Sequence, residues 1–187
     1  GGVLAAHGQA LTLLDADARL RRRWPGTDLA RRRTGSAATL HALPHRRSLL
    51  AAWPALNEWW EIPLDPAAPP IFDGYVHDHR MGEAIASPGH LGLRRVPFDA
   101  EAPQPAFVPA GWPWVACAEP QGVSVVHLDV RRTVARLALA GASAAASVMH
   151  DGLWWLPVGC SLLAVDPRRW QPVRRIEAAG PVQALVA

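Results

Sequence analysis

Short apolar stretches that occur in pairs dominate this chain. One unit recurs four times: an apolar strand, a short polar turn, a second apolar strand and then an aspartate. The strand pairs lie at 2–6 and 11–14, 48–53 and 59–64, 114–118 and 123–128, and 153–158 and 162–165, and the aspartates that follow them are Asp15, Asp65, Asp129 and Asp166. The intervals between these aspartates, about 50, 64 and 37 residues, bracket the period of roughly 40–50 residues that four-stranded propeller blades show.

The residues between and after these strands favour turns over helices. An aspartate after a strand suits a turn, because its side chain accepts hydrogen bonds from the backbone two residues further on. The chain has 18 Pro and 15 Gly, and no long stretch repeats at the helical period without them. We therefore predict an all-β fold, a β-propeller with about four blades, in which any helix is confined to residues 66–104. Closed propellers have 4–8 blades, so we expect residues 1–187 to be a partial propeller domain within a larger ring.

The longest interval between aspartates holds more residues than a blade needs. We predict a long loop insertion at about 66–104, rich in Pro, His, Arg and Gly. A long irregular connection inside a compact repeat is usually functional or disordered. Its His and Arg content favours a functional role.

This insertion carries a specific motif. Asp65-Pro66-Ala67-Ala68-Pro69-Pro70-Ile71-Phe72-Asp73-Gly74 is followed by Val76-His77-Asp78 and by Arg80-Met81-Gly82-Glu83. The segment resembles the haem d1 domain of cytochrome cd1-type nitrite reductases and of their relatives, which include the NirF-type proteins of haem d1 biosynthesis. A second stretch, from Val123 to Gly141, is also similar to this family.

The resemblance implies an eight-bladed propeller with haem d1 on its axis, acting in the bacterial periplasm in denitrification. It implies that His77 donates protons over the distal face of the haem. His79, two residues later, has no counterpart that we can assign in the family, and we predict that it contributes to cofactor binding. Cations at Arg80, Arg94 and Arg95 would bind the carboxylates of the cofactor, since arginine forms bidentate pairs with carboxylates. No Cys-x-x-Cys-His haem attachment is present, so electrons would come from a partner such as a c-type cytochrome.

The sequence departs from the family at two other positions. Where the reductases carry a second distal histidine, this chain has alanines and serines at 141–147, and the axial ligand, expected near Gly1 or Gly2, is not identifiable. Three functions stay open: nitrite reduction by an oxidoreductase, haem d1 biosynthesis, and a non-catalytic propeller scaffold for interactions.

Charge and composition limit the kinds of ligand that we expect this protein to bind. All 19 basic residues are arginine, the net charge is +3, and 16 carboxylates are interleaved with the arginines. We interpret this as the arginine bias of a GC-rich genome and predict no nucleic-acid partner, although Arg21–Arg23 and Arg31–Arg33 form short basic runs. The two cysteines are far apart and no ligand set has the spacing of a closed metal site, so we predict no metal ion held directly by side chains.

Hydropathy and aromatic content lead to expectations about membrane insertion, the core and self-association. No stretch is long and apolar enough to span a membrane. No signal peptide is visible, and the first residue, Gly1, suggests a trimmed or partial chain. Half of the residues are hydrophobic and nine are Trp, which we expect to fill the core. Open blade edges would leave apolar surface unpaired, so we expect self-association, such as a homo-oligomer.

Overall fold

The computed structural model describes residues 2–72, 86–98 and 104–185, with only the backbone for 104–106. The chain divides into two compact units, Gly1–Ala102 and Pro103–Ala187. Each unit is built from antiparallel sheets whose strands follow one another in the chain.

The first unit contains two blade-like sheets and a small ladder. In the first sheet, β1 (Gly2–His7), β2 (Ala10–Asp15) and β3 (Leu20–Pro25) lie side by side in chain order. The second sheet has the order β4 (Thr39–Leu43), β5 (Ser48–Trp53), β6 (Glu58–Pro63) and β9 (Arg94–Pro97). The chain between β6 and β9 forms a two-stranded ladder of β7 (Ile71–Phe72) and β8 (Ala86–Ser87).

The second unit contains two four-stranded sheets. One consists of β10 (Gln104–Phe107), β11 (Trp114–Glu119), β12 (Gly122–His127) and β13 (Arg132–Leu137), and the other of β14 (Val148–His150), β15 (Leu153–Val158), β16 (Ser161–Asp166) and β17 (Gln171–Glu177). Every neighbouring pair in both sheets is antiparallel. The meander of four short strands is the blade of a β-propeller, so the predicted all-β propeller fold is confirmed.

All four predicted strand pairs form hairpins, and aspartate turns follow three of them. The side chains of Asp15, Asp65 and Asp166 each accept the backbone N–H of the residue two positions later, at 3.0, 3.0 and 2.9 Å. In the remaining pair, Nδ1 of His127 accepts the N–H of Asp129 at 3.2 Å. The polar residue after each hairpin therefore fixes where the chain turns toward the last strand of the blade.

Two expectations about local structure were wrong. Strand β9 lies inside the range predicted as a loop insertion, because it completes the second sheet by pairing with β6. Three single-turn 3-10 helices, Pro44–Arg46, Pro54–Leu56 and Ala144–Ala146, lie outside the range to which helix was confined. In the first two, proline occupies the start of the turn, where its fixed φ suits a helical backbone.

Tryptophan forms much of the core of each unit, as predicted. In the first unit, Trp53 packs against Trp60 with ring centroids 4.2 Å apart and ring planes tilted by 34°. In the second, Trp114 and Trp154 lie 5.4 Å apart. All four side chains are buried, and such burial stabilises the fold by roughly 1.5–3 kcal/mol per large side chain.

The last strand of each sheet carries a concentration of arginine. Nine of the 19 arginines lie on β3, β9, β13 and β17, at positions 21–23, 94, 95, 132, 136, 174 and 175. Each of these strands is at the edge of its sheet. Charged side chains on an edge strand oppose pairing with a foreign strand, so the arginine bias of the sequence has a structural use.

The two cysteines do not pair. Cys117 is buried in β11, whereas Cys160 is exposed in the β15–β16 turn. Burial raises the pKa of the Cys117 thiol to about 12, which keeps it in the unreactive thiol form.

Candidate functional site

The segment with the haem d1-like motif leaves the second sheet after β6. The backbone carbonyl of Asp65 accepts the N–H of Ala68 at 3.0 Å, and its side chain accepts the N–H of Ala67 at 3.0 Å. The chain then enters the β7–β8 ladder, in which Phe72 pairs with Ala86. The ladder therefore holds Phe72 and Ala86, the described residues on either side of 73–85, side by side.

The return toward β9 is packed tightly against the outgoing chain. A Cβ atom on Gly89 would lie 2.1 Å from the carbonyl oxygen of Pro69 and 2.2 Å from that of Ala68. Leu91 has a left-handed backbone, with φ of 54°, and its N–H donates to the carbonyl of Pro63 at 2.8 Å. These contacts hold the chain that leads into β9 against the end of β6 and the residues that follow it.

We expect Gly89→Ala to destabilise the protein by about 1–3 kcal/mol. The added methyl group meets two backbone carbonyls, which cannot move aside as the end of a flexible side chain can. Urea denaturation measures the effect. The matched control is Gly180→Ala, where the new Cβ has nothing within 4 Å, and an equal effect of the two substitutions would contradict close packing at Gly89.

The first of the two predicted arginines on β9 is bound in an ion-pair cluster. Nη1 of Arg94 donates to Oε2 of Glu61 at 3.1 Å. The same carboxylate accepts a hydrogen bond from Nε of Arg46 at 2.7 Å and another from the hydroxyl of Ser48 at 2.8 Å. Glu61 is only 2% exposed, so this buried carboxylate ties β9 to β5 and to the turn before it.

The second arginine is held by three groups. Arg95 pairs with the carboxylate of Glu58 and lies 4.6 Å above the ring of Trp60. Its Nη2 donates to the carbonyl of Thr27 at 3.0 Å. A guanidinium over an indole ring gains cation–π attraction in addition to its ion pair, so Arg95 links the second sheet to the chain that follows β3.

The five residues predicted to serve haem d1 therefore divide into two groups. His77, His79 and Arg80 lie outside the described residues. Arg94 and Arg95 lie next to each other on β9 and both pair with carboxylates of β6. Both guanidinium groups are therefore engaged by carboxylates of the protein itself.

The region of the second expected distal histidine is a small apolar turn. Gly141 has φ of 77°, which opens the turn, and Ala144 begins the 3-10 helix and is buried. The hydroxyl of Ser147 donates to the carbonyl of Ala144 at 2.6 Å. This hydrogen bond joins the residue after the 3-10 helix to the first residue of the helix. The alanines and serines of the turn offer no group that could transfer a proton at neutral pH.

The ring of His41 is half-buried on β4. Its Nε2 is shielded from solvent and has no hydrogen-bond partner within the part of the chain that the structure describes. Directly opposite residues on antiparallel strands share a face, so His41 lies on the same face as Leu50 and Glu61. Desolvation by burial lowers the pKa of His41 from its usual 6.5, because it penalises the charged imidazolium.

We expect His41 to make the protein less stable in mild acid. As the pH falls below 6.5, the unfolded chain takes up a proton at His41 before the folded chain does, so stability is lost from 6.5 down to the lowered pKa of the folded state. His41→Leu removes this proton uptake and should lose less stability between pH 8 and pH 5. Urea denaturation at the two pH values measures it, with pH 8 as the control because His41 is neutral there in both states. Identical losses in the two proteins would contradict the effect.

A cleft that the sequence did not predict lies within the first unit. Its volume is about 510 Å³. Leucines of the first sheet, among them Leu4 and Leu13, line it together with Leu49 of the second sheet and Leu91 of the connection between β8 and β9. Asp17, Arg21 and His90 add polar groups. Only the packing of the two sheets brings these residues together. The apolar side chains that line the cleft suit an apolar group of a ligand.

The described residues contain neither a candidate metal site nor a candidate membrane-spanning helix. No group of three or more His, Cys, Asp or Glu side chains there could hold a metal ion. No helix in that part of the chain is long and apolar enough to cross a membrane.

Comparisons with known proteins come from solved structures. No family model matches the chain, and no curated protein matches it. The chain is similar to the dihydro-heme d1 dehydrogenase NirN in complex with DHE, with a TM-score of 0.67 and 21% sequence identity, covering 96% of this chain and 36% of NirN.

Two further solved structures are similar to the chain at lower identity. AztD from Citrobacter koseri gives a TM-score of 0.61 at 9% identity, covering 96% of this chain and 45% of AztD. PorZ, a component of the type-IX secretion system of Porphyromonas gingivalis, gives 0.51 at 13% identity, covering 92% of this chain and 21% of PorZ. The chain thus spans less than half the length of each of these three proteins. At these identities the likeness shows a shared fold, the β-propeller.

Proposed function

We propose that this chain belongs to a haem d1-binding propeller domain of the nitrite reductase family, which serves nitrite reduction or haem d1 biosynthesis in the periplasm of a denitrifying bacterium. One observation carries the proposal: a haem d1-like segment is inserted between the third and fourth strands of a propeller blade. The likeness to NirN, a dihydro-heme d1 dehydrogenase, supports it at the level of the fold.

The frame of the segment supports a binding role. The β7–β8 ladder and the close packing at Gly89 hold Phe72 and Ala86, which flank residues 73–85 in the sequence, beside each other. Binding residues between segments positioned by a rigid scaffold are a common arrangement. His77, His79 and Arg80 come between Phe72 and Ala86 in the sequence.

The paired state of the β9 arginines changes the expected division of roles. Glu61 and Glu58 already engage Arg94 and Arg95, so a cofactor carboxylate would have to compete with a protein carboxylate there. We therefore propose that Arg80, rather than Arg94 or Arg95, binds the carboxylates of haem d1.

His77 is assigned to proton transfer beside the cofactor, with His79 next to it. Imidazole suits this role because its usual pKa, near 6.5, lets it give and recover a proton around neutral pH. Haem d1, when bound, supplies the redox chemistry, and a c-type cytochrome is the electron donor. No described histidine is assigned as the axial ligand.

Titration of the purified chain with haem d1, followed by visible absorption, tests the proposal. We expect saturable binding of haem d1, and weaker binding of ordinary haem b if the site is built for the modified macrocycle. His77→Ala should weaken haem d1 binding about tenfold, since losing one hydrogen bond to a charged group costs about 1.5 kcal/mol. Its melting temperature should stay close to that of the parent.

His150→Ala is the matched control, because His150 is exposed at the end of β14 and pairs only weakly with Asp151 at 3.3 Å. It should leave haem d1 binding unchanged. A loss of stability in His77→Ala with unchanged affinity would show that His77 is a structural residue. Absence of haem d1 binding by the parent chain would overturn the proposed function.

A second candidate function is a non-catalytic propeller scaffold that binds other proteins. It is favoured by the ion pairs that occupy Arg94 and Arg95 and by the apolar turn at 141–147. A scaffold would show no change in the visible spectrum of haem d1 on mixing. The same titration therefore separates the two functions.

A further inference from the structure

The cleft in the first unit continues the core between its two sheets out to the surface. Several of its leucines also pack against the buried cluster that contains Trp53 and Trp60. Six leucines line the cleft, and each is only partly buried: Leu4, Leu13, Leu14, Leu49, Leu64 and Leu91. A contiguous apolar surface that stays open to solvent marks a ligand or partner site.

The cleft lies between the faces of the two sheets. Leu4 is directly opposite Leu13, and Gly2 is opposite Asp15, so these four residues share one face of the first sheet. The two leucines pack on that face against the cluster that includes Trp53 of the second sheet. The cleft is therefore formed by side chains between the sheets and does not use the outer edge of β1.

A β-bulge places one arginine of β3 at this cleft. Leu13 pairs with Arg22 and Leu14 pairs with Leu20, so Arg21 is the extra residue of the bulge. A bulge redirects the side chain of its extra residue. Of the arginines at 21–23, only Arg21 lines the cleft within the described part of the chain.

Arg21 also differs from its counterparts in the repeat. Both sheets of the second unit have a bulge at the corresponding place in their last strand, and the extra residue there is a valine, Val134 in one and Val173 in the other. The guanidinium of Arg21 makes no hydrogen bond or ion pair with another described residue. The first unit therefore has an exposed, unengaged cation beside an apolar cleft, where the other two bulges have an apolar side chain.

The other polar groups of the cleft leave Arg21 available to an anion. The carboxylate of Asp15 already accepts the backbone N–H groups of Asp17 and Arg19, at 3.0 and 2.9 Å. His90 adds a second hydrogen-bond donor to the lining. Asp17 carries the opposite charge on a shorter, exposed side chain, so removing that charge should favour an anionic ligand.

We infer that the cleft binds an amphiphile with a carboxylate, of the chemical class of medium-chain fatty acids. The apolar chain lies against the leucines, and the carboxylate pairs with Arg21, since arginine binds carboxylates through two parallel N–H donors. The volume of about 510 Å³ is within the range of small-molecule sites. A cavity of about 150 Å³ already holds benzene, so a chain of about ten carbons fits. This inference does not depend on haem d1 binding.

Calorimetric titration of the parent chain with decanoate tests the inference, and we expect saturable binding. Arg21→Gln should weaken decanoate binding about tenfold, the usual effect of losing a hydrogen bond to a charged group, and should leave the binding of uncharged 1-decanol unchanged. Arg22→Gln is the matched control, because it makes the same charge change at the next residue of β3, which does not line the cleft. It should bind decanoate like the parent, whereas Asp17→Asn should bind it more tightly.

Methyl NMR of the parent chain locates the ligand without relying on the folding of a variant. The methyl signals of Leu13 and Leu49 should shift as decanoate is added, while those of Leu29, which is 61% exposed and does not line the cleft, should not. Absence of saturable decanoate binding by the parent overturns the inference. So do equal effects of the two arginine substitutions, unshifted methyl signals of Leu13 and Leu49, or tighter binding of decylammonium than of decanoate.

Discussion

Replacing Glu61 by Gln is expected to lower the free energy of unfolding by about 3 kcal/mol, near the lower end of the range for breaking a buried ion pair. The substitution keeps the shape of the side chain but leaves the guanidinium groups of Arg46 and Arg94 without their carboxylate. Both groups are mostly buried yet keep some contact with solvent, which limits the cost. The buried hydroxyl of Ser48 also loses its charged acceptor.

Urea denaturation followed by tryptophan fluorescence measures this loss. The matched control is Asp151→Asn, which makes the same chemical change at a highly exposed carboxylate that pairs with the exposed His150. It should leave the denaturation midpoint unchanged. Equal midpoints for Glu61→Gln and the parent would mean that solvent replaces the ion pair at little cost.

Replacing Leu11 by Ala should destabilise the protein by about 2–5 kcal/mol, the usual range for a large-to-small substitution in a packed core. Leu11 is 0% exposed and belongs to the cluster that joins the first two sheets through Trp24 and Trp53. The surrounding rings are rigid and close only part of the cavity left by the missing atoms.

Leu29→Ala removes the same atoms from a side chain that is 61% exposed, and it should change stability by no more than about 0.5 kcal/mol. Thermal and urea denaturation of both variants check the comparison. A similar loss in both would mean that Leu11 does not contribute through packing.

The strand pairs could be predicted because they depend on local signals. Each hairpin has two apolar strands a few residues apart, and the aspartate that follows makes its own turn, as at Asp15 and Asp65. The position of β9 could not be predicted in this way. Its Arg-Arg-Val-Pro sequence does not alternate, and its partner strand lies about 30 residues earlier in the chain.

The contacts of the candidate site are also non-local. The pairing of Arg94 with Glu61 follows from the register of β6 and β9 and from no local pattern. His41 lies on β4, a strand outside the four predicted pairs, and only the pairing of β4 with β5 places it in the sheet that buries its Nε2. Arginine on the edge strands was interpreted as genome bias because only the sheet order shows which strands are at an edge.

The place of the insertion within the blade has a consequence for the order of folding. Closing a loop costs conformational entropy that rises with the logarithm of its length, so joining β9 to β6 across about 30 residues costs roughly 2 kcal/mol more than closing the four-residue β5–β6 turn. The β7–β8 ladder and the bond from Leu91 to Pro63 divide this closure into smaller steps. We expect β9 to join its sheet after the hairpins have formed. The β7–β8 ladder should form before this step and bring β9 close to β6.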